Sequence, residues 1–138
     1  MITAAADLRV GNLMTLDPIT IGSEELAMEA ERLIKTYRIS GLPVVDAGVV
    51  VGVLSQTDLL TARSSELISG NWPRLRVRHL MSRPAMTVNA TSSVISAARE
   101  MIERHVHRLV VVDDANAAIG VLTPLDLLRA LLDEADIA

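Results

Sequence analysis

An internal repeat constrains the fold of this 138-residue chain more than any other feature of the sequence. Residues 8–10 return as residues 75–77, and residues 42–46 return as residues 109–113, both at a spacing of 67. After one additional residue in the second copy, residues 52–60 return at a spacing of 68. Similarity at a fixed period indicates a repeated structural unit, so the sequence predicts two similar units.

We place the first unit at residues 1–71 and the second at residues 72–138, joined through the Pro- and Gly-containing stretch 69–73. Each copy has the pattern of a β-α-β-β-α unit, which assigns the chain to the α/β (α+β) class. The strands are predicted at 19–21, 42–46 and 49–54 in the first copy, and at 86–88, 109–113 and 119–122 in the second.

The first helix of each copy is amphipathic, and we predict Ser23 and Thr91 as its N-caps because hydroxyl side chains favour that position. Its apolar stripe is predicted to reach Tyr37 in the first copy and Ile102 in the second. One copy alone buries little surface. We therefore expect the two copies to pack through their sheets about a pseudo-twofold axis, with paired clefts between them.

The second helix of each copy begins at a recurring motif, a hydroxyl residue followed three positions later by a carboxylate. The motif is Ser55 with Asp58 in the first copy and Thr123 with Asp126 in the second. One interpretation of this motif is structural, because the same pattern is typical of a capping box at the start of a helix. The same helix N-terminus also suits a phosphate group, and a carboxylate beside it suits a ribose diol. A glycine three residues before each hydroxyl allows a ligand or a neighbouring backbone to approach closely.

Composition excludes several functional classes. A net charge of −4 and only two aromatic residues argue against nucleic-acid binding, which needs a basic face or stacking platforms. The absence of cysteine excludes thiol catalysis and disulfides. His105 and His107 have no matching acidic or thiol partner, so we predict no metal site. No nucleophile with a local base is found, and we predict a protein that is not an enzyme.

The duplicated unit and its Gly-hydrophobic-hydrophobic-Ser/Thr-x-x-Asp endings resemble tandem CBS domains, the family named after cystathionine β-synthase, whose paired form is called a Bateman module. The resemblance runs from about residue 10 to residue 132 in both copies. It implies a regulatory module that binds an adenosine compound, such as AMP, ADP or ATP, or else S-adenosylmethionine or NAD, in the clefts between the repeats.

The resemblance also assigns roles to residues of this sequence. The ribose and phosphate would be held by Ser55, Asp58, Thr123 and Asp126. The adenine pocket would be lined by Thr20, Ile21, Thr87 and Val88, and closed by backbone around Gly41, Leu42, Pro43, Arg108, Leu109 and Val110. His107 and Arg108 would contact phosphate in the second copy, whereas the first copy has the uncharged pair Ser40-Gly41 there. We therefore expect the two clefts to differ in affinity.

Two functional hypotheses remain open from the sequence. The first is a stand-alone sensor that binds the nucleotide and signals to an unidentified partner protein. The second is a ligand-free interaction module in which the Ser/Thr-x-x-Asp motifs only cap helices. In both cases we expect a homodimer formed through amphipathic helices. The sequence has no stretch apolar enough to span a membrane and no basic leader, so we expect a cytoplasmic protein.

Overall fold

A computed structural model of the chain describes residues 8–16, 18–65 and 70–137. The helices are Val10–Leu13 (α1), Ala27–Tyr37 (α2), Gln56–Ser64 (α3), Val77–Leu80 (α4), Val94–Arg104 (α5) and Pro124–Ile137 (α6). The strands are Thr15–Leu16 (β1), Gly41–Asp46 (β2), Val49–Ser55 (β3), Thr87–Asn89 (β4), Leu109–Val112 (β5) and Ala118–Leu122 (β6). The predicted mixed α/β class is confirmed.

The chain divides into two compact units. One, the central unit, is Ile19–Ala85, and the other, the terminal unit, combines the described residues up to Pro18 with those from Met86 onward. The segment that leads into each sequence repeat therefore packs within the unit built by the other repeat. The repeats at 1–71 and 72–138 are defined by sequence similarity, whereas the compact units are defined by contacts, so their boundaries differ. Residue 69 of the predicted joint lies outside the described residues, and Trp72–Arg74 form a 3-10 turn.

The central unit is built on the antiparallel pair β2 and β3, which runs in register from Gly41↔Ser55 to Asp46↔Val49 with one irregularity. Isolated bridges extend the pair on both sides: Ile21 joins Val44 in parallel, and Ser82 joins Val53 antiparallel.

The terminal unit has a four-stranded sheet in the order β1-β6-β5-β4, in which β4 is parallel to β5 and the other neighbours are antiparallel. Because β1 comes from the start of the chain and β6 from its second half, this sheet depends on long-range pairing. The strand pairing is equivalent in the two units: Val88 pairs with Val111 in the terminal unit as Ile21 pairs with Val44 in the central unit, 67 residues earlier.

Each unit has its own apolar core beneath its first long helix. In the central unit, α2 contributes Ala27, Ala30 and Ile34, and in the terminal unit α5 contributes Val94, Ala97 and Met101. Burial of this apolar surface is the main term that holds each helix on its sheet. The predicted stripes were too wide: Tyr37 and Ile102 lie at their edges and are exposed.

The predicted N-caps Ser23 and Thr91 are wrong, because the helices begin later. The N-cap of α2 is Leu26, and that of α5 is Ser93, whose Oγ accepts a hydrogen bond from the Ser96 amide. Both cap residues are extended and form bridges with the leading segments, Leu26 with Arg76 and Ser93 with Arg9. This pairing keeps the preceding residues out of the helices. Within the described residues, no helix is both long enough and apolar enough to cross a membrane.

Candidate functional site

In the central unit, the predicted site residues collect at one end of the β2–β3 pair. Gly41 begins β2 directly opposite Ser55, which ends β3. The extended segment containing Ile21 lies along the other edge of β2, where the Ile21 amide donates to the Pro43 carbonyl at 3.2 Å and the Val45 amide donates to the Ile21 carbonyl at 2.8 Å. A parallel neighbour and an antiparallel neighbour thus bring three separate sequence segments to the same sheet end.

Helix α3 starts at this sheet end with a complete capping box. The Asp58 amide donates to Ser55 Oγ at 3.0 Å, and the Ser55 amide donates to Asp58 Oδ2 at 2.9 Å. The Gln56 amide is satisfied by the Ser40 carbonyl at 2.7 Å. Three amides at the start of the helix therefore have partners, and the structural interpretation of this motif is confirmed.

The terminal unit repeats the arrangement. Thr87 pairs with Val110 across the parallel β4–β5 ladder, and Leu109 pairs with Leu122 at the end of β6. Thr123 follows Leu122 directly, so the start of β4, the start of β5 and the start of α6 meet at one sheet end. The residues predicted for the second copy are brought together as those of the first copy are.

The cap of α6 has a slightly different geometry. The Thr123 amide and hydroxyl both donate to Asp126 Oδ2, at 2.9 Å and 3.1 Å, and the Asp126 amide approaches Thr123 Oγ1 at 3.4 Å. Pro124 occupies the first helical position, where its missing N–H removes no intrahelical bond. In both repeats the cap uses carboxylate oxygen Oδ2, and Oδ1 of Asp58 and of Asp126 makes no hydrogen bond within the described part of the chain.

Several predicted site residues are core residues whose side chains do not reach the surface. Leu42, Leu109 and Val110 are fully or almost fully buried, and Pro43 is buried with them. These positions can offer main-chain groups to a ligand, but not side chains. Exposed or half-exposed surface at the same sheet ends comes from Thr20, Thr87 and Val88 and from the two capping motifs.

A charge distinguishes the two sheet ends. Arg108 precedes β5 and is half-buried, and this burial lowers the pKa of its guanidinium, which remains protonated at neutral pH. The matching position in the central unit is the buried Gly41. His107 is exposed beside Arg108, and the matching Ser40 is also exposed. The two sheet ends therefore differ in charge at this matched pair of positions, Arg108 in the terminal unit and Gly41 in the central unit.

The glycine of each motif accommodates a neighbouring backbone. A Cβ at Gly52 would lie 2.8 Å from the Ser82 carbonyl oxygen, and a Cβ at Gly120 would lie 2.9 Å from the Thr15 carbonyl oxygen. Both carbonyls belong to the leading segments that pair with β3 and β6. The sequence suggested that each glycine allows the close approach of a ligand or of a neighbouring backbone. The structure shows a neighbouring backbone at both positions.

The terminal unit also contains an apolar groove that was not predicted from the sequence. The groove lies between α5 and α6 and has a volume of about 630 Å³. It is lined by Ala98, Met101, Ile102, His105, Val106, His107, Pro124, Leu127 and Leu128. A position-by-position comparison of the two repeats shows three differences in this lining, since Ala98, Ile102 and Pro124 match the polar residues Glu31, Lys35 and Gln56 of the first copy. No group of three or more candidate metal ligands occurs among residues 8–16, 18–65 and 70–137.

Comparisons with known proteins agree with the repeat and with the fold. The family model of the CBS domain matches residues 10–65 and 77–133. The uncharacterized protein MJ1232 of Methanocaldococcus jannaschii is 29% identical over 130 residues, which are 94% of this chain and 42% of that protein. The chain thus spans less than half the length of this curated relative.

Two groups of solved structures are similar over nearly all of the chain. The crystal structure of CBSX2 in complex with AMP has a TM-score of 0.82 and 32% identity, and the match covers 92% of this chain and 98% of that chain. A further CBSX2 structure gives its source as Arabidopsis thaliana. The CBS domain pair of protein MJ0100, in complex with 5′-methylthioadenosine and S-adenosyl-L-methionine, has a TM-score of 0.78 and 26% identity, over 92% of this chain and 98% of that chain.

Proposed function

Because the chain belongs to the CBS-domain family and carries two CBS domains, we propose that it is a regulatory module that binds an adenosine nucleotide and signals this binding to a partner protein. The observation that carries the proposal is the sheet end found in both repeats, where Ser55 with Asp58 and Thr123 with Asp126 begin a helix. The similar CBSX2 and MJ0100 structures contain AMP, 5′-methylthioadenosine and S-adenosyl-L-methionine, which share an adenosine group.

The capping motifs supply the proposed ribose contacts. In each motif one carboxylate oxygen holds the helix cap, so the carboxylate is fixed in position before any ligand arrives. The second oxygen, Oδ1, accepts hydrogen bonds from the ribose hydroxyls. A group that is already ordered loses little conformational entropy on binding, which favours affinity.

The adenine and phosphate contacts follow from the same sheet ends. Thr20 with Ile21, and Thr87 with Val88, line the pocket for the base, and the backbone around 41–43 and 108–110 closes it. His107 and Arg108 contact the phosphate in the terminal unit. Since Gly41 offers no charge at the matching position, we propose that the terminal unit's residues bind the phosphorylated nucleotide more tightly. AMP, ADP and ATP are the favoured ligands, ahead of S-adenosylmethionine and NAD.

A thermal-shift screen with AMP, ADP, ATP, S-adenosylmethionine and NAD tests the ligand class. A ligand at about 100 times its dissociation constant stabilises the folded protein by about 2.7 kcal/mol, which is a clear shift. Adenosine nucleotides should raise the melting temperature, and GMP, which has the same phosphate and ribose, serves as the control for base recognition. A screen in which no adenosine compound shifts the melting temperature would contradict the proposal.

Substitution of the motif carboxylates separates ribose binding from helix capping. Asn at position 58 or 126 retains an oxygen that can accept the cap hydrogen bond, but it replaces the second carboxylate oxygen with a donor group. We expect Asp58→Asn with Asp126→Asn to weaken AMP binding at least about tenfold, which is 1.4 kcal/mol. Asp58→Ala should in addition lose about 1 kcal/mol of stability with the cap. Unchanged AMP affinity in the double Asn variant would leave the motifs with a capping role only.

A second candidate function is an interaction module that binds no nucleotide. The complete capping hydrogen bonds at Ser55 and Thr123 favour it, because they explain the motifs without a ligand. A flat thermal-shift screen together with a stable oligomer would support this candidate. In either case we propose that the chain forms a homodimer, since exposed apolar side chains on its helices are of the kind that self-association buries.

A further inference from the structure

One segment of the central unit concentrates positive charge in a chain that is acidic as a whole. Residues 67–99 contain five arginines and no aspartate or glutamate, although the net charge of the chain is −4. Four of these arginines lie at 74–83 and are all exposed, and they are Arg74, Arg76, Arg78 and Arg83. We call residues 74–83 the basic segment.

The matched segment of the first repeat has much less positive charge. At the repeat spacing of 67, the residues that correspond to the four arginines are Asp7, Arg9, Gly11 and Leu16. Both segments nevertheless pair with the N-cap of a long helix, Arg76 with Leu26 and Arg9 with Ser93. Since this pairing forms in the first repeat without the additional arginines, the fold does not require them.

The backbone of the basic segment is fixed on the central unit. Three backbone hydrogen bonds of 2.8 to 2.9 Å join Leu75, Val77 and Arg78 to the start of α2 and the residues before it. Leu75 and Val77 pack into the core, and the backbone of Leu75 and Arg76 is extended. Because side chains alternate along an extended backbone, Arg74 and Arg76 lie on the outer side, about 6.6 Å apart.

Most of the positive charge of the segment is not neutralised by carboxylates. Arg78 forms an ion pair with Glu24 at 3.0 Å. Arg76 donates through Nη1 to the carbonyl oxygen of Glu24 at 2.6 Å, and a carbonyl has no net charge. Within the described part of the chain, neither Arg74 nor Arg83 forms an ion pair. Three guanidinium groups of the segment therefore keep their full charge.

A further cation lies where the basic segment begins. The guanidinium of Arg63 stacks on the ring of Trp72, 4.8 Å from its centroid. Trp72 is buried and starts the 3-10 turn that ends at Arg74. The aromatic ring orders the Arg63 side chain and does not remove its charge.

This arrangement suits a short, extended acidic peptide. Alternate side chains of an extended strand are also about 6.6 Å apart, and guanidinium groups form strong, directional hydrogen bonds with carboxylates. Nucleic acids and anionic bilayers are extended polyanions, so they experience the net negative charge of the whole chain. A short peptide experiences mainly the nearest charges, because salt screens charges more than about 10 Å away at 0.1 M.

We propose that the basic segment is the docking surface for an acidic segment of the regulated partner protein, with carboxylates at alternate positions that bind Arg74 and Arg76. The inference rests on the proposed signalling and names the chemistry by which the partner is recognised. Ordered guanidinium groups lose little conformational entropy on binding, which favours affinity. The basic segment also pairs through Ser82 with β3, the strand that ends at Ser55 of the capping motif.

Fluorescence anisotropy with a labelled peptide, in which Glu alternates with Gly, tests this surface. At about 0.1 M salt, the unmodified chain should bind this peptide and should not bind the same peptide with Gln in place of Glu. The double variant Arg74→Gln with Arg76→Gln should bind the Glu peptide at least about tenfold more weakly, which is 1.4 kcal/mol.

A matched double variant controls for net charge. Arg99→Gln with Arg129→Gln removes two exposed arginines outside the segment, and the affinity for the Glu peptide should stay within about twofold. Equal weakening in the two double variants would overturn the proposal, as would an unmodified chain that does not bind the Glu peptide. Tighter binding of oligo-deoxythymidine or of phosphatidylserine vesicles than of the peptide would show the wrong class of partner.

The single variant Arg74→Gln separates docking from folding. The Arg74 side chain makes no hydrogen bond among the residues that the structure describes, so this variant should keep the urea midpoint and still bind the Glu peptide more weakly. Unchanged peptide affinity in Arg74→Gln would refute the role of this residue. The thermal shift with AMP should be the same in all these variants, so a failure of docking and a failure of nucleotide binding are observed separately.

Discussion

The close contact at Gly52 leads to a quantitative prediction about stability. In Gly52→Ala the new methyl group would lie 2.8 Å from the Ser82 carbonyl oxygen and 3.0 Å from Met81 Sδ. The thioether can move, but the carbonyl cannot move alone, since it accepts the hydrogen bond of the Val53 amide at 3.1 Å. The leading segment must therefore shift away from β3.

The magnitude follows from three contributions. Overpacking of this kind costs about 1–3 kcal/mol. The two hydrogen bonds between Val53 and Ser82 are worth about 1 kcal/mol each and are weakened together. Replacement of glycine by alanine recovers about 0.4–1 kcal/mol through the unfolded chain. We expect a net loss of about 2 kcal/mol in the free energy of unfolding.

Urea titration followed by the fluorescence of the single tryptophan, Trp72, is a suitable assay because Trp72 is buried in the same unit. The midpoint should fall while the slope m stays constant, which marks a change in stability alone. Gly70→Ala is the matched control, since a Cβ there meets no atom within 4 Å. If Gly52→Ala unfolds at the same urea concentration as Gly70→Ala, the close approach of the leading segment is wrong.

Two further predictions concern charged groups. The pKa of the Asp46 carboxyl lies below its usual value because the Ser23 hydroxyl and amide donate to it, so the interaction stabilises the fold above the unfolded pKa and is lost as pH falls through the folded one. The urea midpoint should therefore drop in the acid range below about pH 4. In Asp46→Asn the midpoint should fall less steeply with pH. An equal dependence of the midpoint on pH in both proteins would show that Asp46 does not contribute. Arg108→Ala should weaken AMP binding about tenfold or more, since hydrogen bonds to a charged group are worth about 1.5–3 kcal/mol. Arg104 is exposed and paired with Glu100, so Arg104→Ala should leave AMP binding unchanged. Calorimetry on both variants measures the difference.

Local patterns in the sequence were sufficient for the parts of the fold that depend on neighbours along the chain. The Ser55–Asp58 and Thr123–Asp126 caps were predicted because the residues that make them are three positions apart. The repeat itself fixed the order of strands and helices in both units. In each unit, the structure places the motif at the same sheet end as the start of the neighbouring strand.

Contacts between distant segments were not predictable in the same way. The starts of α2 and α5 were misplaced because Leu26 and Ser93 pair with Arg76 and Arg9, and no local pattern reports such pairing. Apolar periodicity likewise assigned Ile102 to a buried stripe, because periodicity does not distinguish a residue at the edge of a stripe from one at its centre. Comparison with the matched residue of the other repeat, Lys35, indicates the edge position.

The exchange of leading segments makes the two halves of the chain depend on each other. Thr15 and Leu16 complete the sheet whose remaining strands come from residues 87–122, and Ser82 completes the pair formed by residues 41–55. Cutting the chain between residues 71 and 72 would separate each leading segment from the strands that it pairs with here. Each half would then have an uncovered sheet edge, and we expect the two halves to associate in order to cover both edges.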